Sequence, residues 1–473
     1  MRRKTTVGVV DSGVLAYTAG RDRELDAALV EADCLGSAAH AIMLSRVPVD
    51  PPFLTPADAG RLVAELAKIP AEAAAGKFRI TLEDQDVHLA VERRLTQALG
   101  DLGKRIHACR SRNDQVAVDL RLHAKRALQQ IVAAGAALAG TFARFAEARR
   151  DLPMAGRTHM QPAMPSSVGL WAAAWAEGIL DALSLVIAVY ELNDQCPLGS
   201  AAAYGVPVPI DRQLTSDLLG FSRPVSNVLH AANGRGQLES AILSALGQVM
   251  LVLSRFAQDL ILFSMPEFGY FTLPVAFTTG SSIMPQKRNP DVLELLRAKT
   301  AKILADSSLC AEILRASPSG YNRDLQETKG PLLDGLADTL ATLRILPGLV
   351  DGTTVHEDAL LRGFSPSVFA TDRALELVAA GMPFRDAYHH VKAHLDELSA
   401  RDPRDAVALK THLGAPAGLD FPALRARIDA AATWAADEAA EFDRMAARLR
   451  AWRPAAAKPK ASRKKATKPA RRS

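Results

Sequence analysis

Between residues 238 and 263 the apolar side chains fall on one helical stripe: Leu238, Ile242, Leu246, Val249, Leu253, Phe256, Leu260 and Phe263. The spacing alternates between three and four residues without a break, which is the repeat of one helix face. A stripe held for so many turns cannot be covered by short local elements. It needs other long helices beside it, and this confines the chain to a helix bundle. Leu128, Ile131, Leu138, Phe142 and Phe145 form a second stripe, in a helix expected over 114–146. The segment 167–192, rich in Ala, Leu and Trp, is expected to be a third. Aromatics are only 5% of the chain, few segments alternate like strands, and Ala and Leu abound, all of which favours helix over sheet. The expected fold is all-α. Apolar faces on several sides of such a bundle suggest packing between copies of the chain.

The 473 residues are enough for two or three domains. The N-terminus, MRRKTTVGVVDSG, starts basic but lacks the apolar run of a signal peptide. No uncharged apolar stretch reaches about 18 residues, so no membrane span is expected. Cys34, Cys109, Cys196 and Cys310 are too scattered for a paired-cysteine metal or redox motif. They read as reduced thiols of a cytoplasmic protein. The net charge is +5, but Pro454–Ser473 holds eight Lys/Arg residues and no acid. Subtracting those eight from +5 leaves −3 for the body, which is no basic nucleic-acid surface. The tail, nearly free of large apolar residues, is expected to be disordered, and any nucleic-acid contact is confined to it.

Polar segments interrupt the long helices, and functional groups tend to sit on such loops. HACRSRNDQ at 107–115 places Arg110, Arg112 and Asn113 at a helix start, where free backbone N–H groups favour anions and arginines suit carboxylates. Taken alone, a solvated basic turn would look much the same. GRTHMQPA at 156–163 presents Thr158 and His159 on a loop fixed by Gly and Pro; a lone histidine of this kind is more often structural. In TTGSSIMPQKRNPDVLELLR at 278–297, Asn289 suits an N-cap, Pro290 the first helical position, and Asp291 and Glu294 the first turn. The preceding Gly280-Ser281-Ser282 run, with Lys287 nearby, is expected to be mobile and able to close over a ligand; a plain surface loop is the alternative. GYNRDLQETKGP at 320–331 adds Tyr321, Asn322, Gln326 and Lys329.

Together these segments carry a family pattern. Gly280, Ser281, Met284, Lys287 and Asn289 meet the G-S-x-x-M-x-x-K-x-N pattern of the fumarase/aspartase superfamily, which the chain resembles. Within it, RSRNDQVAVDLRL (110–122), DQDVHLAVERRLTQALGDLGKRIH (84–107), PIDRQLTSDLLGF (209–221), YNRDLQETK (321–329) and FATDRALELVAAGMPFRDAYHHV (369–391) are similar to the argininosuccinate lyase family. The resemblance runs from roughly residue 20 to 395.

It implies a central long-helix bundle at 113–364 with smaller helical domains at 1–112 and 365–453, ahead of the basic tail at 454–473. It further implies a homotetramer with a 20-helix core, whose active sites combine segments of three subunits. The implied reaction is base-catalysed β-elimination of fumarate from argininosuccinate, freeing arginine, without metal or cofactor. A paralogue releasing fumarate from another N-succinyl amine and a non-catalytic use of the fold are the alternatives. By motif position Ser281 and His159 are the implied acid–base pair, Ser281 being the favoured base although the sequence does not decide which of the two takes the proton; Glu294 is the group polarising His159, and Lys287 a stabiliser of the serine. Arg112, Asn113, Thr158, Asn289, Tyr321, Gln326, Lys329, Ser282, Asp86 and His88 are the implied substrate contacts. The chain departs from the family in three places. VGVVDSGVLAYTAGRD replaces a Trp-Gly-Gly-Arg-Phe-like start, Gly234-Arg235-Gly236 stands for Ser-Arg-Asp, and RTHMQPAMPSS varies a Thr-His-Leu-Gln-x-Ala-Gln-Pro run.

Overall fold

The computed structural model describes residues 2–5, 8–399 and 401–454; the basic tail beyond Pro454 lies outside them. Eight helices organise it: α1 (Val30–Leu44), α2 (Val87–Leu99), α3 (Arg112–Glu147), α4 (Val168–Asn193), α5 (Gln237–Ser264), α6 (Asp291–Arg315), α7 (Lys329–Asp351) and α8 (Phe421–Ala451). Helices α3 to α7 form the bundle. α3 packs on α4 and α7, and α5 packs on α4, α6 and α7. The last helix, α8, returns to lie against α3. The stripe that opens the sequence argument is the buried face of α5, from Ile242 to Phe263. At its centre Phe256 meets Phe142 of α3 edge-on, with ring centroids 4.9 Å apart. Gly335 of α7 leaves room for α5: a Cβ there would sit 2.4 Å from Leu243 Cδ2.

α3 begins on a capping box. Ser111 accepts a hydrogen bond from the Asn113 amide, and the Ser111 amide donates to Asp114 Oδ1 at 2.8 Å. The other carboxylate oxygen, Oδ2, accepts from the amides of Gly199 at 2.9 Å and Ala201 at 2.8 Å, tying the helix start to the loop after α4. Burial pushes this carboxyl up to about 6 against the pull of the three amides. Asp114→Ala strands three N–H groups, two of them buried. It is expected to cost about 3 kcal/mol or more, read as a fall in the unfolding midpoint.

Two short antiparallel ladders matter for the site. Strands β1 (Pro153–Thr158) and β2 (Gln161–Ser167) form a hairpin, where the sequence argued only for a loop. Its two-residue turn is His159-Met160, with φ of 52° and 62°. Positive φ at both turn positions is what such a hairpin requires, although neither residue is a usual choice for it. The second ladder pairs β3 (Thr279–Gly280) with β4 (Arg288–Asn289). It corrects the expected helix start: Asn289 is held extended opposite Thr279, and Pro290, not Asn289, is the cap residue of α6.

By length and composition, Asp22–Leu44, Val168–Asn193 and Gln237–Ser264 each qualify as a membrane span. Neighbouring helices cover 83% of the apolar window in the first but only 50% and 56% in the other two. Leu185 and Leu192 of α4, Leu251 of α5, Leu295 and Leu309 of α6 and Ile345 of α7 remain exposed. All four cysteines are free.

Candidate active site

A cavity of about 250 Å³ opens where the starts of α2, α3 and α7 converge with the segment 321–326. Asp86 is the N-cap of α2, its side chain accepting from the Leu89 amide at 3.0 Å, and His88 stands in the first turn. Arg112 and Asn113 open α3, and the Arg112 guanidinium pairs with Asp86. Tyr321 and Gln326 come from the turn-rich segment ahead of α7, and Lys329 is that helix's first residue. All seven line the cavity. Segments more than two hundred positions apart in sequence thus share one polar wall.

Not every cation in the wall is free. Lys329 Nζ is 2.5 Å from Asp26 Oδ1 and 3.0 Å from Asp22 Oδ1. Burial alone would lower its pKa, but the two carboxylates hold it above the ordinary lysine value. Gln326 Nε2 donates to the Thr18 carbonyl at 3.2 Å, and Arg323 donates to the same oxygen at 2.6 Å. Arg235, just ahead of α5, donates through Nε to Glu239 at 2.7 Å and through Nη2 to the Leu325 carbonyl at 3.2 Å. Its Nη1 has no hydrogen-bond partner among the described residues, although the side chain is buried and lines the cavity.

The other seven expected residues lie outside this cavity's lining. Thr158 ends β1 and His159 forms the hairpin tip, both exposed. Ser281, Ser282 and Lys287 are on the loop between β3 and β4; Asn289 is in β4, and Glu294 is exposed in the first turn of α6. The loop reaches into solvent, with Ile283 83% exposed. Within it the Ser281 hydroxyl oxygen accepts from the amides of Ile283 at 3.3 Å and Met284 at 3.1 Å. Negative charge on that oxygen would meet two backbone donors.

Sequence reasoning passed over Arg235 and also missed Asp33 and Asp119, which lie beneath the cavity. His88 Nδ1 is 3.5 Å from Asp33 Oδ2 and 3.4 Å from Asp119 Oδ2. A usable signal existed: each acid interrupts an apolar run, Ala32–Cys34 in one helix and Val118–Leu120 in the other, and buried acids need partners. These three residues are also the group among the described residues whose potential ligand atoms lie within 4.8 Å of one another.

A family model described as "Lyase" matches residues 22–305. The argininosuccinate lyase of Sorangium cellulosum (strain So ce56) is 44% identical over 422 residues, spanning 89% of this chain and 97% of that one. That of Stenotrophomonas maltophilia (strain R551-3) is 41% identical over 419 residues, spanning 88% and 96%. Among solved structures, an EDDS lyase in complex with formate superposes with a TM-score of 0.77 at 22% identity, covering 93% of this chain and 95% of its own. A class II fumarase from Schistosoma mansoni gives 0.69 at 15% identity, covering 91% and 99%. The two structures speak for the fold.

Proposed function

The chain belongs to the argininosuccinate lyase family, and from that premise we propose that it cleaves argininosuccinate to arginine and fumarate by base-catalysed β-elimination. The observation that carries the reading is the cavity itself: Asp86, His88, Arg112, Asn113, Tyr321, Gln326 and Lys329 meet around one space. A substrate with three carboxylates and a guanidinium needs many donors and few acids, and this wall supplies them.

In this reading Ser281 takes the proton from the succinyl CH₂ next to the carbon that bears nitrogen. A serine hydroxyl is a weak base unless its anion is stabilised. The amides of Ile283 and Met284 already point at its oxygen, and Lys287 on the same loop adds positive charge. The electron pair left behind spreads into the adjacent carboxylate, which Asn289, Ser282, Thr158 and the cavity donors hold. The C–N bond then breaks, the electron pair leaving with nitrogen. His159, its ring polarised by Glu294, or a water it holds returns a proton to that nitrogen. Donors alone suffice for this chemistry, so the scheme uses no cofactor.

The cavity of one chain and the residues on its loop and hairpin belong to different sites in this scheme. We take the active unit to be a homotetramer, each site built from three subunits, with the partly exposed faces of α4 to α7 as the contact surfaces. The domain division at 112 and 364 and a cytoplasmic location complete the reading, and no nucleic-acid partner is required. The test is direct: purified protein is given argininosuccinate and fumarate is followed by ultraviolet absorbance. Release of fumarate supports the assignment. Turnover of another N-succinyl amine with none of argininosuccinate would replace it with the paralogue.

A further inference from the structure

His88 has one face in the cavity and the other in the protein interior. The ring, Asp33 and Asp119 are each at most 5% exposed. His88 Nδ1, Asp33 Oδ2 and Asp119 Oδ2 have no other hydrogen-bond partner among the described residues, so they have only one another. With Nδ1 turned to the two acids, the opposite ring nitrogen, Nε2, is the one that can meet a ligand in the cavity. Asp33 is itself fixed: its Oδ1 accepts from the Ser37 hydroxyl at 3.2 Å, and Ser37 Oγ in turn accepts from Arg110 Nη1 at 2.9 Å.

We propose that Asp33 is a positioning residue for the elimination, holding the His88 ring as a cation whose Nε2–H anchors a carboxylate of the substrate. The proposal rests on the argininosuccinate reading and deepens it, since His88 touches the substrate and Asp33 acts only through His88. The charges facing the ring come from every side. Asp86 stands at the start of its own helix, Asp33 on α1, and Asp119 on α3. Arg110 and His107 lie on the turn before α3, and Asp26 lies ahead of α1. Burial alone would strip the proton from the imidazole. Asp86, Asp33 and Asp119 together push it up to about 9.

The two interior acids are not equivalent. Burial would raise Asp33, but His88 and Arg110 hold it below the ordinary value. Burial and the neighbouring Asp33 push Asp119 well up instead. Of the two, Asp33 is therefore the one held toward its anion and Asp119 the one pushed toward its neutral form. Asp86 shares its charge with Arg112 in a direct ion pair, which leaves Asp33 as the anion that faces Nδ1. The spacing of the three groups would also suit a metal ion, but a metal would have to displace the proton that Nδ1 holds at neutral pH.

The sign follows. A raised imidazole pKa means the charged ring persists below about 9 and is lost as pH rises through that value. In the wild type, kcat/KM for argininosuccinate should fall on the basic side near there. Asp33→Asn removes the counter-charge and should move that limb down by about 1–3 pH units. Asp119→Asn removes the smaller contribution to the raised imidazole and should move the limb less than Asp33→Asn does. The wild type must first release fumarate from argininosuccinate; failure there sinks the functional reading, whatever the variants do. Given that activity, an unmoved limb in Asp33→Asn overturns the proposal, and so do equal shifts in both variants. Stoichiometric metal in the wild type that both variants lose overturns it as well. Should Asp33→Asn not fold, His88→Gln carries the test: its profile should lack the limb near 9, and persistence of that limb overturns the proposal.

Discussion

Replacing Ser281 with alanine is expected to lower kcat on argininosuccinate by about 10²–10⁴-fold, the range for loss of a positioned base, with little change in KM or in the unfolding midpoint. The separation follows from where the residue sits. Its hydroxyl lies on a loop in solvent and packs into no core; it only accepts from two amides of that loop. Alanine leaves those amides to water, so stability has little to lose. The proton-accepting oxygen disappears entirely. Steady-state rates of fumarate release, beside a thermal melt of the same preparation, check both halves. Near-full activity in Ser281→Ala would remove the residue from the mechanism. A large fall in melting temperature would show that its role in this fold is structural.

The second large effect concerns mixtures. Ser281→Ala spoils the loop, and Arg112→Gln spoils the cavity. If a site takes its cavity from one subunit and its loop from another, random co-assembly makes some sites free of both changes. Half of the cavities and half of the loops are intact, so activity should return from nearly nothing to about a quarter of the wild-type rate. The mixture is made by dissociating and reassembling the two purified variants, and each variant treated alone is the reference. A mixture as inactive as its components would place cavity and loop in one chain. Oligomer size before and after reassembly, by light scattering, reads the assembly itself.

The long helices were legible in the sequence because they are periodic. The stripe from 238 to 263 became Gln237–Ser264, the segment 167–192 became Val168–Asn193, and 114–146 became Arg112–Glu147. Their ends shifted by a residue or two, where caps and not periodicity decide. The hairpin at 153–167 was not legible. Its glycine and prolines read as a loop between helices, and its turn uses His159-Met160 at positive φ, a choice no local rule favours. Asn289 misled for a related reason: its side chain suits a cap, but a two-residue ladder claims its backbone.

The site divides the same way. The residue types were legible in RSRNDQ, DQDVH and YNRDLQETK, through family resemblance and through the chemistry of anion binding. Their meeting in one cavity was not, because nothing in the spacing between residues 88, 113 and 326 states a distance. Asp33, Asp119 and Arg235 escaped for a different reason. Each is a charge embedded in a helix or a helix start, and its role appears only with its neighbours. Arg235 also sits between two glycines where the family pattern has serine and an acid, so its contacts with Glu239 and the Leu325 carbonyl had no precedent to read from.

The leucines left in water on the bundle helices bear on how the protein behaves in a dilution series. Leu185, Leu192, Leu295 and Leu309 are each about half exposed, and the proposed homotetramer would cover them. Burial of such faces between copies couples catalysis to mass action. Specific activity should then be constant at high enzyme concentration and fall steeply on dilution, the rate rising with more than the first power of protein. Preincubation at low concentration should introduce a lag that shortens as enzyme is added, the signature of a catalyst assembled by encounter between chains.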